Sequence, residues 1–151
     1  MKFGEAIDSV LIKNYFNFSG KASRREYWWF VLFVLLSSII VSISEAVAVG
    51  ISQGSNFDPD KFYPYFFMVY MALIFLPSLT VHVRRFHDVG RTTKEAIVIY
   101  FVTQISSSMI TFPNAYMHKE NFLSQILWFA FIASGFYTLY ITLKESEEVA
   151  Q

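Results

Sequence analysis

"YWWFVLFVLLSSIIVSIS", residues 27 to 44, carries no Lys, Arg, Asp or Glu. A helix of that length rises about 27 Å at 1.5 Å per residue, close to the roughly 30 Å hydrocarbon core of a bilayer. The apolar character continues past Glu45 to Val49, so the expected span is about 27–49. Hydrocarbon offers no water to backbone amides and carbonyls, so a run of this kind must be helical. Outward from it lie three further uncharged runs, with expected spans of about 62–83, 96–112 and 122–143. The third is the shortest and stops at Pro113, near the lower limit of about 17 residues for a crossing.

Composition agrees. The chain is 54% hydrophobic, 19% aromatic and only 16% charged, where soluble domains carry about 25% charged residues. A soluble fold of 151 residues has too small a core for that apolar area, 17 phenylalanines included. The formal net charge is zero, which removes a global electrostatic argument for nucleic acid or acidic substrates. With no cysteine, disulfides, thiolate catalysis and Cys-based metal sites are excluded. The first apolar run begins near residue 27 and no small-residue cleavage site follows it, so no cleavable signal peptide is expected.

The helix starts are marked. "SRRE", Ser23 to Glu26, fits a capping box before the first run, and Thr92 with Glu95 repeats it before the third. Asp58 and Pro59 read as an N-cap followed by a first-turn proline. Ten of the twelve Lys and Arg residues fall on one set of alternate sides, chiefly before the first run and between the second and third. The positive-inside rule then predicts four spans with both termini cytoplasmic. Residues 3–18 gather Phe3, Ile7, Val10, Leu11, Phe16 and Phe18 near one helical face, as an interfacial helix requires. The expected fold class is all-α: one domain over 1–151, an integral membrane four-helix bundle with an N-terminal interfacial amphipathic helix.

Two stretches carry a family likeness. "YFNFSGKASRREYWWF" (15–30) and "LPSLTVHVRRFHDVGR" (76–91) resemble the two motifs of the domain-of-unknown-function 805 family (DUF 805) of small bacterial inner-membrane proteins. The resemblance implies a multi-pass protein of the bacterial inner (plasma) membrane with no established activity. It departs after the glycine: the family usually has a Ser-Gly-Trp-Trp-like segment, whereas "RTTKEAIV" stands here. The capping box keeps the helix start, but the tryptophan anchor of the third helix is missing.

The candidate site is the cluster expected at the inner interface: Arg24, Arg25, Glu26, Arg84, Arg85, His87, Asp88 and Arg91. One reading is topological, with arginines snorkelling to headgroups and pairing with Glu26 and Asp88. A sharper one has the two Arg pairs converge on an anionic headgroup or phosphorylated ligand, which the planar guanidinium fork binds bidentately. Catalysis would have to use His87 and Asp88, yet sequence neighbours on a helix point apart and no nucleophile motif accompanies them. His82, His87 and Asp88 are poorly spaced for a metal, so no metal or cofactor is expected, and no nucleic acid. The leading expectation is a non-enzymatic membrane protein that binds anionic lipid or a protein partner at its cytoplasmic face. The alternative is a subunit of a small homo-oligomeric channel or transporter.

Inside the runs, Glu45 is expected near the outer surface and wet, and His82 to meet water at the inner end of the second helix. Pro77 should break one backbone hydrogen bond, with Thr80 or Ser78 compensating.

Overall fold

A computed structural model of the chain describes residues 1–53, 65–111 and 122–146, with side chains for 1–51, 65–105 and 125–146. In chain order the elements are α1 (Phe3–Asp8), continued by a π-helical turn (Ser9–Lys13), then α2 (Arg24–Gln53), α3 (Tyr65–Asp88), α4 (Thr93–Thr111) and α5 (Phe122–Leu143). The described residues contain no strand. Asp58, Pro59 and residues 62–64 of the second expected run lie outside them. Among the described residues three helices are long and apolar enough to cross a membrane: Arg24–Ile51, Tyr65–Asp88 and Gln125–Leu143. The third expected run forms as α4, a helix of 19 residues that packs against α5.

The crossing helices turn apolar side chains outward. Leu36, Ile40 and Ile43 on α2, Met68 and Val69 on α3, and Phe129 and Phe136 on α5 are all exposed. Water would penalise such a surface, and lipid does not.

The chain divides into two compact units. The first comprises Met1–Asn17 and Arg25–Thr80. In it α2 and α3 run antiparallel, tied by the Tyr70 hydroxyl, which lies 2.7 Å from Ser37 Oγ and donates to the Val34 carbonyl at 3.1 Å. At the other end of this pair the Glu45 carboxylate accepts the backbone N–H groups of Phe66 (2.9 Å) and Phe67 (3.2 Å). Glu45 is therefore not wet, as its depth in the sequence suggested, but 4% exposed. The first turn of α3 leaves amides without intrahelical acceptors and concentrates positive dipole charge, and a carboxylate answers both.

The proline in α3 is resolved from elsewhere in the chain. Pro77 has no N–H to give the carbonyl four residues back, that of Leu73. Tyr15 donates its hydroxyl to that carbonyl at 2.7 Å. Thr80, one of the expected compensators, donates instead to the Pro77 carbonyl at 3.0 Å. The helix expected over residues 3–18 stops at Lys13, where Asn14 donates both its backbone N–H (2.9 Å) and its side-chain amide (3.0 Å) to the Ser9 carbonyl. Ala6 and Val10 are fully buried, Ser9 Oγ donates to Glu26 at 2.9 Å, and Phe3 meets Trp29 edge-on at 5.6 Å. Ile12 and Phe16 remain 74% and 72% exposed.

The second unit comprises Phe18–Arg24 and Val81–Gln151. It holds the end of α3 and the candidate site.

Candidate functional site at the arginine end of α3

The sequence places the end of the second span at Val83, before the first charge, but α3 continues through "RRFHD" to Asp88. Arginine is a good helix former, and Arg85 and His87 sit in the last turn, where the negative end of the macrodipole favours cations. Termination falls to Gly90 at φ +72°. The Arg91 N–H donates to the Phe86 carbonyl at 2.9 Å, and the Gly90 N–H to that of His87 at 3.1 Å. This pair of bonds is a Schellman motif, which needs a left-handed residue at the glycine position. The Thr92 hydroxyl then accepts the Glu95 N–H at 3.3 Å and starts α4. The expected capping box is half made, because the Glu95 carboxylate takes the Tyr137 hydroxyl on α5. Arg91 stands 3.7 Å from the same carboxylate.

Arg85 is completely buried. Its guanidinium pairs with the Asp88 carboxylate one turn on, donates to the Lys144 carbonyl just past α5, and reaches the Ala22 carbonyl at 3.5 Å. A buried cation is tolerated only when paired and hydrogen-bonded, and this fork finds three acceptors. Asp88, 7% exposed, also accepts the Ser146 hydroxyl at 2.5 Å. Arg84 is 3% exposed, and its carbonyl accepts the Ala22 N–H at 3.0 Å. Arg24 donates to the Leu143 carbonyl at 3.4 Å and lies 3.6 Å from Glu145. Two arginines thus serve the final carbonyls of α5, the negative end of that helix.

His87 and Asp88 diverge. The imidazole has Nε2 2.8 Å from Thr93 Oγ1 and Nδ1 3.3 Å from the Gly20 carbonyl, whereas Asp88 faces Arg85 and Ser146. His82 does not meet water: it is buried against the rings of Phe86 (4.6 Å) and Tyr100 (5.4 Å). Among the described residues no group of three or more His, Asp or Glu side chains could hold a metal ion. Of the eight candidate residues, Arg24, Arg84, Arg85, His87, Asp88 and Arg91 lie in this unit. Arg25, exposed, and Glu26, buried against Ser9, belong to the first.

A family model for proteins of unknown function (DUF805) matches residues 15–148, nearly the whole chain. The chain belongs to the DUF805 family. Its curated relatives include inner membrane protein YhaI of Escherichia coli strain K12, 32% identical over 90 residues, which make up 60% of this chain and 67% of that protein. Inner membrane protein YhaH of the same strain is 28% identical over 88 residues, or 58% of this chain and 67% of that protein. No solved structure matches the chain significantly. DUF805 is thus a family of membrane proteins of unknown function, and the interactions above are those of one member.

Sequence reasoning found Arg85 and Asp88 but missed their other partners. Ala22, Lys144 and Ser146 are unremarkable in composition, and two of them contribute only backbone carbonyls to Arg85. Nothing in a linear pattern marks a carbonyl. The Tyr15–Leu73 bond left a trace, since Pro77 announces that the carbonyl of residue 73 needs a donor.

Proposed function

We propose that this is a non-enzymatic, four-span inner-membrane protein with both termini cytoplasmic, whose cytoplasmic face binds anionic lipid headgroups through its exposed arginines. One observation carries the reading: the arginines of the cluster divide into two kinds. Arg84 and Arg85 are buried, and Arg85 is engaged by Asp88 and main-chain carbonyls. Arg24, Arg25 and Arg91 are exposed. Buried arginines hold the face together, and exposed ones meet what lies beside it. Each exposed basic residue at an anionic leaflet adds about 1 kcal/mol of attraction.

The fourth span is α4, about 28 Å long at 1.5 Å per residue and packed on α5. With it, ten of the twelve Lys and Arg residues fall on the cytoplasmic side; three spans give the same ten, so the fourth span rests on the length of α4 and its packing on α5. The exposed Ile12 and Phe16 support an N-terminal segment that dips its outer face into the cytoplasmic leaflet. The divergence of His87 and Asp88 supports a non-enzymatic role. A channel subunit would be expected to line up polar side chains along one helix. Here Glu45, Ser37 and Tyr70 are paired within their unit, and Asp88 within its own.

The test is native mass spectrometry of the detergent-released protein titrated with phosphatidylglycerol and, separately, phosphatidylcholine. The wild type should retain the anionic lipid several-fold better, and Arg24→Ala/Arg25→Ala/Arg91→Ala should lose that preference while remaining folded. Equal retention of the two lipids by the wild type would sink the proposal.

A further inference from the structure

The geometry points to a conformational device in the first unit: the segment after α1 is a releasable strap whose Tyr15 clamps α3 at its proline and holds that helix in one bend. This inference is independent of headgroup binding. Tyr15 lies along α3 over about two turns, with its carbonyl 3.5 Å from Thr80 Oγ1 and its hydroxyl 2.7 Å from the Leu73 carbonyl. Leu73 is the residue whose carbonyl Pro77 leaves without an N–H. It sits within a crossing helix, where no water is at hand and a bare carbonyl is costly. A tyrosine from outside the helix therefore completes the backbone bonding of a span.

The attachment is slight enough to open. Tyr15 follows the π-helical turn in non-helical chain, and the neighbouring Phe16 packs on the Tyr15 ring at 4.8 Å while remaining 72% exposed. Proline bends are where spanning helices hinge, and re-pairing of the freed carbonyl is what fixes the angle. Holding or releasing Tyr15 selects between a fixed and a free bend. Whatever draws Ile12 and Phe16 away from the protein, the leaflet included, would pull on α3 through Tyr15.

A four-protein comparison in detergent tests it: wild type, Tyr15→Phe, Pro77→Ala and the double variant. Two readouts apply, the melting temperature and tryptic cleavage at Lys13 and Lys21, the exposed lysines that flank the strap. Tyr15→Phe should lower Tm by about 3 °C, the size of one lost net hydrogen bond in a chain of this length, and speed cleavage several-fold. Pro77→Ala returns an N–H to the Leu73 carbonyl. It should speed cleavage with no fall in Tm, because the strap loses its acceptor while the helix gains its bond. The double variant should match Pro77→Ala in both. A purely local packing role for Tyr15 predicts instead that Tyr15→Phe lowers Tm equally with or without Pro77. That result, or unchanged cleavage in Tyr15→Phe, overturns the strap.

Discussion

Arg85 is the residue on which the second unit turns. Its side chain is wholly buried, and its partners come from residues 22, 88 and 144. Removing one member of a buried ion pair strands the other, at a cost of about 3–5 kcal/mol, whereas replacing both with apolar groups is often tolerated. Arg85→Ala should therefore destabilise the protein by that order in denaturant unfolding from mixed micelles. Arg85→Met/Asp88→Leu should lose less than Arg85→Ala alone, although the Lys144 carbonyl then goes without its donor. Arg85→Lys should fall between them, because an ammonium is a point charge and cannot present a planar fork. The neighbouring Arg24, half exposed beside Glu145, is of a different kind, and Arg24→Ala should shift stability by less than about 1 kcal/mol.

The elements owe their limits to caps that differ in how well the sequence announces them. Starts were legible: α2 begins directly after Ser23 and α4 directly after Thr92, and at α4 the Thr92 hydroxyl caps the helix within three residues of itself. The helix α3 runs five residues beyond Val83, where the uncharged run ends, because a charge marks the edge of an apolar run and not the end of a helix. The helix instead keeps Arg84 and Arg85 inside it and stops at a glycine. Gly90→Ala should cost about 1–2 kcal/mol, the penalty for a Cβ in the left-handed region, read as a lowered unfolding midpoint. The N-terminal end of α3 gives a second expectation. Glu45→Ala would leave the Phe66 and Phe67 amides uncapped and cost about 1 kcal/mol. Glu45→Gln should cost less, since an amide oxygen still accepts. Glu45 could not be assigned this role from the sequence, because capping from another helix depends on which helix lies beside it.

At the scale of the whole molecule, the apolar runs were readable because bilayer thickness leaves a mark of about 20 residues. Long-range pairing was not readable. Tyr15 with Leu73 and Arg85 with Lys144 are separated by 58 and 59 residues, and no periodicity links them. The orientation proposed above has its own check. Reporter fusions after Gln151 and within the segment between α2 and α3 should report opposite sides of the membrane, and the same side for both would refute the four-span arrangement.

The dependence of Arg85 on Lys144 also sets a timetable for synthesis. Ala22 and Asp88 leave the ribosome before or almost with Arg85, but the Lys144 carbonyl follows 59 residues later. At about 5–20 residues per second that is a wait of roughly 3–12 s. During that interval the nascent chain carries a guanidinium whose full set of acceptors has not yet been translated. A ribosome that stops anywhere between α4 and Lys144 releases a chain with most of its spans made and this cation only partly answered. Quality-control proteases would meet such a product as defective, so a short nonsense truncation should reduce abundance as severely as a substitution at Arg85 itself.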